Sequence, residues 1–555
     1  MDIKKLNATI SVSPQIAASD ISAIAVAGFR SIICNRPDGE ASDQPGFREI
    51  EIAAVQAGLQ IHYLPAESGK VTDAQGIEFG RLMDELPKPV LAYCRTGMRS
   101  TTMWALSSAD KIALPEIIGI AASAGFDLKG LVRRIINGGK TPVEVADASH
   151  EVVIVGGGTA GIAVASSLLA RNPNLDIAIV DPADIHYYQP GWTLVGAGVF
   201  NAGFTARTMG AVLPEGVHWI KSAVAAFEPE RNAIILDGCR VVSYKQLVVC
   251  PGLKLDWNAI EGLSDTLGRN GVTSNYRFDL APYTWELVQK LRGGKAVFTQ
   301  PPMPIKCAGA PQKAMYLSAD HWKRQNLLKA IDIQFCNAGA VLFGVADYVP
   351  ALMEYVNAYG IQLNFGRTLI SVDGTAKKAR FNQAKPDGTK EVVEQDFDMI
   401  HVCPPQKAPD FIRVSPLADA AGWVDVDPAT LRHKTYTNIF AIGDVSNTTN
   451  AKTAAAARKQ APVVAHNLLA MRGEAKGQAQ YDGYGSCPLT VERGKIVLAE
   501  FTYGGKLAPS FPKWLIDGTK PSTLAWYLKE RILPPLYWDA MLKGREWLAQ
   551  PEMAG

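Results

Sequence analysis

Residues 152–161 read VVIVGGGTAG, an apolar strand run that passes straight into glycines at 156, 158 and 161 and then into the helical stretch IAVASSLLAR. Few other patterns narrow the choice of fold so sharply. Glycines in G-x-G-x-x-G register allow a tight turn and a close backbone approach, so that a pyrophosphate can sit on the N-terminus of the following helix. A second strand, LDIAIVD, ends in Asp181 twenty residues after Gly161, where a carboxylate can accept a hydrogen bond from an adenosine ribose hydroxyl. Gly156, Gly158, Gly161 and Asp181 are therefore the candidate dinucleotide ligands, and the order of strand, turn, helix, strand and acid predicts a doubly wound α/β sheet.

The chain has 555 residues, and at about 150 residues per domain that predicts three to four domains. Lys and Arg total 56 against 54 Asp and Glu, a net charge of +2, so no global field favours nucleic acid, which is excluded as an expected partner. The eight cysteines contain no CxxC pair and argue against a structural zinc site or a secreted disulfide framework. With no signal-like leader and no run of 18 apolar residues, the expected location is cytoplasmic, peripheral on the cytoplasmic face of an inner membrane.

Composition shifts at GGKTPVEVADASH, and 138–149 reads as a linker. Before it, the apolar runs AIAVAGF, SIICN, IHYLPA and PVLAYC read as short buried strands alternating with helical patterns, a small α/β domain over 1–137. After it, the expected units are a dinucleotide domain over 150–295 and 405–480, a second Rossmann-like domain over 296–404, and a C-terminal segment over 481–555.

Three motifs in order resemble those of FAD enzymes with two dinucleotide domains: the glycine turn, YKQLVVCPG with Gly252, and YTNIFAIGD with Gly443 and Asp444, the aspartate being the one that binds the ribityl chain in such enzymes. The resemblance implies FAD. In the second domain the strand KAVFTQ is followed by Pro301, Pro302, Met303 and Pro304, which cannot offer a pyrophosphate a row of free N–H groups, so a nicotinamide donor is disfavoured. That segment continues as PIKCAGAPQK, with Cys307. Together with HYYQPGWTLVGAG, ADAAGWVDVD, KTAAAA and YDGYGSCPL, it makes the chain from about 150 onward resemble the sulfide:quinone oxidoreductases of the mitochondrial and related bacterial type.

The resemblance implies that Cys307 is one of two redox cysteines carrying sulfur between sulfide, the flavin and an acceptor thiol. The family's second cysteine follows the Gly-Asp of the later FAD motif, where this chain has Val445; Cys403, ending the strand of HVCPP, is the candidate replacement, and a packed thiol is the plain alternative. Cys239, Cys250 and Cys336 read as packed thiols. Lys306 is a candidate to favour the Cys307 thiolate. Lys452, ahead of an alanine-rich helix aimed at the flavin, is a candidate to stabilise negative charge on the reduced ring.

Residues 511–548 interleave Trp514, Trp526, Trp538 and Trp547 with Lys and Arg. That suits short amphipathic helices in monotopic contact with lipid, from which a quinone reaches the flavin, and equally a helical pair packed on the core or in a homo-oligomer interface.

In PVLAYCRTGMRSTTMWALS (89–107), Cys94 and Arg99 bracket a loop between strand and helix. Loop N–H groups can surround an anion, and an arginine fork can bind it. The Cys-x4-Arg spacing matches the short rhodanese loop, whereas phosphatases generally use one residue more. GFRSIICNRPDGEASDQP nevertheless resembles the beta-lactamase-hydrolase-like family, which has a phosphatase-type fold, and this likeness covers about residues 2–135. Arg36 and Asp38 are pocket candidates, and Glu67 and Asp73 are candidates for the phosphatase acid.

The sequence thus predicts an α/β chain: a phosphatase-like α/β domain, then a two-Rossmann, FAD-dependent fold like that of the pyridine-nucleotide-disulfide reductases, with C-terminal helices. The reading is sulfide oxidation by FAD with electrons passed to quinone, sulfane sulfur held on Cys307, and transfer through Cys94 to a small thiol, cyanide or sulfite. Two rivals stand beside it: a flavoenzyme fused to a phosphatase, and a sulfide or redox sensor with little turnover.

Overall fold

The computed structural model describes residues 2–41, 44–141, 146–237, 240–385 and 387–554. The chain divides into two units: Met1–Ser149 with Ser222–Ser243 and Asp410–Ala418, and His150–Lys221 with Tyr244–Pro409 and Asp419–Gly555. Part of the expected linker, 142–145, lies outside the described residues, as does Cys239. Composition gave no sign that two later segments join the first unit.

In the first unit, β1 (Ile10–Ser13), β2 (Ser31–Cys34), β3 (Gln60–Tyr63) and β4 (Val90–Tyr93) form a parallel sheet in the order β1-β4-β2-β3, with Lys4–Lys5 antiparallel at its edge. Every residue of β1, β2 and β4 is buried, as expected of parallel strands covered on both faces. The central β4 delivers the Cys94 loop at its C-terminal end, and α1 (Met98–Ser107) follows. Ligands of open α/β sheets gather at that end. One strand expectation fails: AIAVAGF lies within and after a helix, Ile21–Val26, in which Ile21 and Ile24 are buried while Val26 is 88% exposed. A seven-residue apolar run does not separate strand from helix, and here a spacing of three decides it.

The second unit runs β5 (Ala148–Val155), α2 (Thr159–Arg171), β6 (Ile177–Val180), β7 (Val217–Ile220), β8 (Val241–Val249), β9 (Val272–Thr273), β10 (Gly294–Gln300), α3 (Ala310–Arg324), β11 (Ile331–Asn337), β12 (Gln362–Phe365), β13 (Met399–His401), β14 (Ile439–Ala441), α4 (Ala454–Met471), β15 (Gly485–Glu492) and β16 (Lys495–Phe501). One sheet has the order β7-β6-β5-β8-β14, and a parallel second sheet has the order β9-β13-β10-β11-β12. The first core gathers Ile154, Ile162, Leu168, Phe440, Val464 and Leu468, side chains of the first sheet and of α2 and α4. The second gathers Phe298, Met315, Trp322, Phe335, Cys487 and Val497, which binds the β15–β16 hairpin to α3 and β10. Truncating Phe298 or Trp322 to Ala costs about 3–5 kcal/mol at such sites.

The C-terminal segment is a run of short α, π and 3-10 turns from Thr523–Tyr527 to Met541–Lys543, with Pro534 and Pro535 inside it, rather than a pair of regular helices. Its tryptophans split: Trp526 and Trp538 are buried, while Trp514 is 83% and Trp547 58% exposed. Among the described residues no helix is long and apolar enough to cross a membrane.

Candidate functional site

The glycine turn explains itself residue by residue. Gly156 has φ +108°, and a Cβ there would lie 2.5 Å from the Cys250 carbonyl oxygen; a Cβ on Gly161 would lie 1.9 Å from the Gly156 carbonyl oxygen. Both positions demand glycine, the first for its conformation and the second for the packing of α2 on the strand end. Asp181 accepts from the Gly157 N–H at 2.6 Å and the Ala183 N–H at 2.7 Å, which fixes its carboxylate beside the turn.

A cavity of about 390 Å³ opens over this turn. Gly156, Gly158, Asp181, Gly252, Gly443, Asp444 and Lys452 all line it, as do Cys307 and Lys313. The α4 N-terminus, capped by the Thr453 hydroxyl, also meets it through Ala454 and Ala455. The Asn275 side chain borders the cavity with both its amide nitrogen and its oxygen buried and without a protein partner. An orphaned amide there, with a helix terminus at the glycine turn, fits a flavin dinucleotide that supplies the missing partners. Lys452 is not the surface lysine that a plain reading allows. Its Nζ donates to the Asp444 and Ser446 carbonyl oxygens at 2.8 and 2.7 Å over the Trp423 ring, and burial pulls it down to about 8. Burial likewise raises the Asp444 carboxyl, against the pull of Lys306 and Lys452.

Cys307 sits at the entrance to α3 with φ +49°, a left-handed conformation rare for a side-chain-bearing residue. Its N–H donates to the Lys452 carbonyl oxygen at 2.9 Å, and the Tyr276 hydroxyl donates to its carbonyl oxygen at 3.3 Å. The lysine beside its sulfur is Lys313, with Nζ 3.2 Å from Sγ. Lys306 instead reaches Gln189 and stands over the Trp192 and Tyr276 rings, because neighbouring side chains diverge along the chain.

The expected partner Cys403 also needs correction. It is buried against Tyr276 in an apolar cluster bordering Cys307, and burial pushes its thiol up to about 12. The sulfur in contact with Cys307 Sγ is instead that of Cys487, at 3.9 Å. The Cys487 hydrogen bond, then the Lys313 charge, hold the Cys307 thiol well below the usual range against the desolvation of burial; Cys487 is held correspondingly high. Val445 is fully buried, and Cys250 and Cys336 are packed thiols as expected.

In the first unit the Gly97 N–H lies 3.1 Å from Cys94 Sγ, and Gly97, at φ +88°, turns the loop into α1. Cys94 and Arg99 are both buried. The Arg99 fork is taken by a residue the sequence reading passed over: Nη1 and Nη2 donate to the two Glu40 oxygens at 2.8 Å each, and Nη1 also donates to the Ala66 carbonyl oxygen at 2.7 Å. Arg36 Nε donates to Glu40 as well, at 2.7 Å. Burial favours the neutral carboxyl, but the bonds from Arg99 and then Arg36 hold Glu40 below its ordinary range. The three acids expected near the loop have other work. Asp38 accepts from the Phe47 N–H, Glu67 pairs with Lys70 at the surface, and Asp73 pairs with Arg134 and Thr141 at a helix start.

The two Rossmann sheets and a cavity pairing a flavin-type dinucleotide site with a reactive thiol define a flavoprotein oxidoreductase with a pyridine-nucleotide-disulfide-reductase-type fold. The solved sulfide:quinone oxidoreductase of Aquifex aeolicus shares that fold, at a TM-score of 0.60 and 18% identity over 72% of this chain and 92% of the other. The mitochondrial sulfide:quinone oxidoreductase of Dictyostelium discoideum is 41% identical over 71% of this chain and 86% of its own length. That of Mus musculus is 38% identical over 71% and 87%. The chain belongs to the sulfide:quinone oxidoreductase family, and it is a fusion: residues 2–111 match the family of the beta-lactamase hydrolase-like protein, phosphatase-like domain. The expected cytoplasmic location does not stand: the sulfide:quinone oxidoreductases of Dictyostelium discoideum and Mus musculus that the chain matches are mitochondrial proteins. A missing leader-like pattern at the start of the sequence was too weak a ground for it.

Proposed function

We propose that the second unit binds FAD and oxidises sulfide, that the electrons leave to a quinone, and that Cys94 passes the sulfane sulfur onward. The observation that carries this reading is the Cys307 thiol in the wall of the flavin-type cavity with Lys313 Nζ 3.2 Å from its sulfur. Gly156, Gly158 and Gly161 hold the pyrophosphate at the α2 N-terminus and Asp181 the adenosine ribose, while Gly252, Gly443, Asp444 and Lys452 border the rest of the dinucleotide. Bound FAD supplies two-electron acceptance. The chain's own part is to keep Cys307 as a thiolate beside Lys313 and to hold the sulfur that sulfide leaves there. Trp514, Leu515, Leu524, Tyr527, Trp547 and Leu548 are exposed apolar side chains of the C-terminal segment and suit contact with a lipid surface that holds the quinone.

In the first unit, the Cys94 thiolate attacks the outer sulfur of a persulfide R–S–SH. The S–S bond breaks, R–S⁻ leaves, and Cys94 carries the persulfide until a thiolate, cyanide or sulfite takes its outer sulfur. The acid arrangement favours this reading over phosphate-ester hydrolysis. An ester leaving group needs a proton, whereas Glu40 is tied to two arginines and kept ionised, and a leaving thiolate needs none. Covalent linkage of the two units raises the effective concentration of one thiol for the other's product.

The test is anaerobic mixing of the flavin-loaded protein with sulfide, followed by addition of a short-chain quinone. Bleaching of the flavin by sulfide and its return with quinone are expected; a flavin that sulfide leaves oxidised would sink the oxidoreductase reading in favour of a sensor. Release of phosphate from an aryl phosphate without thiosulfate formation from a persulfide and sulfite would hand the first unit to phosphatase chemistry.

A further inference from the structure

The parallel strands of the first sheet have two ends, and the dinucleotide cavity takes only one of them. At the other end the starts of β5, β6 and β7 lie side by side, because Val152 and Val217 both pair with Ile177. That register gathers His150 of β5, Asp176 at the entrance to β6 and His218 of β7 into one group, whose ligand atoms all lie within 4.8 Å of one another. His150 Nδ1 is 2.9 Å from Asp176 Oδ1, and His218 Nε2 is 3.7 Å from the same oxygen. All three residues belong to the second unit, and none of them lines the cavity. Six residues of strand separate His150 from Gly156, and at about 3.3 Å each they set the group roughly 20 Å from the glycine turn.

The carboxylate is held in place for two imidazoles. Its Oδ2 accepts from the Glu151 N–H at 3.3 Å, which leaves Oδ1 turned to both rings. The ring centroids stand 5.2 Å apart, and the next acid along the strand, Glu151, is occupied by Lys245 and Arg472. A hydrogen bond accounts for His150 on Asp176. It does not account for His218, whose nitrogen faces the same oxygen from beyond hydrogen-bond distance. Two imidazole nitrogens and a carboxylate oxygen are a ligand set that suits Zn²⁺. With metal–ligand bonds of about 2.0–2.2 Å, a tetrahedral site sets its ligand atoms about 3.3–3.6 Å apart, a spacing that falls between the 2.9 and 3.7 Å seen here.

We propose that His150, Asp176 and His218 bind one divalent transition-metal ion of the zinc type, with water as the fourth ligand. Side-chain exposure climbs from 14% at His150 through 38% at Asp176 to 66% at His218, so the fourth position opens to solvent. Binding takes both imidazoles as neutral ligands; any proton they carry passes to solvent, and no electron is exchanged. Hard ions such as Mg²⁺ are not retained, since they prefer oxygen to imidazole. The ion ties three strand starts together and stabilises the folded chain. The cysteine pattern that argued against a structural zinc site says nothing of a site built without sulfur, and this site stands independently of the sulfide chemistry.

The test is equilibrium dialysis of the flavin-loaded full chain, free of any histidine tag, against Zn²⁺, with bound metal counted per chain and the melting temperature read with and without the ion. His218→Gln and Asp176→Asn, each checked for flavin content, are run beside the wild type; His218 is exposed enough for its replacement to spare the fold. The expected result is one more equivalent of zinc on the wild type than on either variant, retained against an excess of Mg²⁺, and a zinc-dependent rise in melting temperature that His218→Gln loses. Equal zinc on the wild type and a flavin-replete His218→Gln, or displacement of the extra equivalent by Mg²⁺, would overturn the site. Because zinc bound at the cysteines is common to all three chains, only the difference between them counts.

Discussion

The two cysteines to which the proposal gives the sulfur chemistry stand in different settings. Cys94 stands at the end of a parallel strand, in a loop whose Gly97 N–H points at its sulfur, with a buried arginine held by a carboxylate. Its sulfur is served by its own loop, while the carboxylate that holds Arg99 comes from Glu40, 59 residues away. Cys307 stands on a strained residue at a helix entrance, and its helpers, a lysine one turn on and a second thiol 180 residues on, come from a helix and a distant hairpin. A loop of N–H groups suits transient negative charge on an anion that arrives and leaves. A lysine and a paired thiol suit a sulfur that must hold charge and redox state through a cycle. On the proposed reading, the contrast divides sulfur chemistry between a carrier site and an oxidising site by environment alone.

The largest effect that can break this contrast is Cys307→Ala. It should cut sulfide reduction of the flavin by roughly 10³-fold or more, with persulfide-to-sulfite transfer by the first unit unchanged; equal damage to both activities would deny the division of labour. Lys313→Met comes next. Removing a charged hydrogen bond worth about 1.5–3 kcal/mol should slow bleaching by about 10- to 100-fold at neutral pH. The slow variant should recover as pH rises, because its Cys307 then needs hydroxide to ionise; a pH-independent loss would mean the lysine only shapes the fold.

A smaller effect is expected at the carrier site. Glu40→Gln loosens the charged clamp on Arg99 and should lower sulfur transfer about tenfold, leaving sulfide bleaching untouched. The smallest effect concerns stability. Burial, and then the charge of Lys313, pull Lys529 down to about 7. Between that value and its unfolded value near 10.5, the unfolded chain binds a proton that the folded chain does not, so stability rises with pH across this window and the full cost of the lysine is present below pH 7. Lys529→Met should therefore raise stability more at pH 6 than at pH 10, by a difference on the order of 4 kcal/mol at most; an equal gain at both pH values in denaturant titrations would contradict a buried, depressed lysine.

What could be read from the sequence was what is local. The glycine turn, Asp181, Gly443 and the Cys-x4-Arg loop each carry their neighbours with them in the chain, and their positions in the structure follow from a few residues on either side. AIAVAGF failed because six apolar residues fit two periods. Cys487 was visible only as part of YDGYGSCPL, and nothing within that segment says that a hairpin packs on α3 and brings its sulfur to Cys307. Glu40 was hidden for a similar reason: it lies in a turn-rich stretch, and its role appears only when the loop meets Arg99. Lys306 misled because adjacency in sequence stood in for adjacency in space.

The most direct test of the account is thiosulfate production from sulfide, quinone and sulfite by the intact chain and by Cys94→Ser, with flavin bleaching followed in the same samples. The account predicts that Cys94→Ser bleaches at the wild-type rate and loses most of the thiosulfate. Undiminished thiosulfate from that variant would contradict it, since the oxidising site would then be serving the acceptor without the carrier.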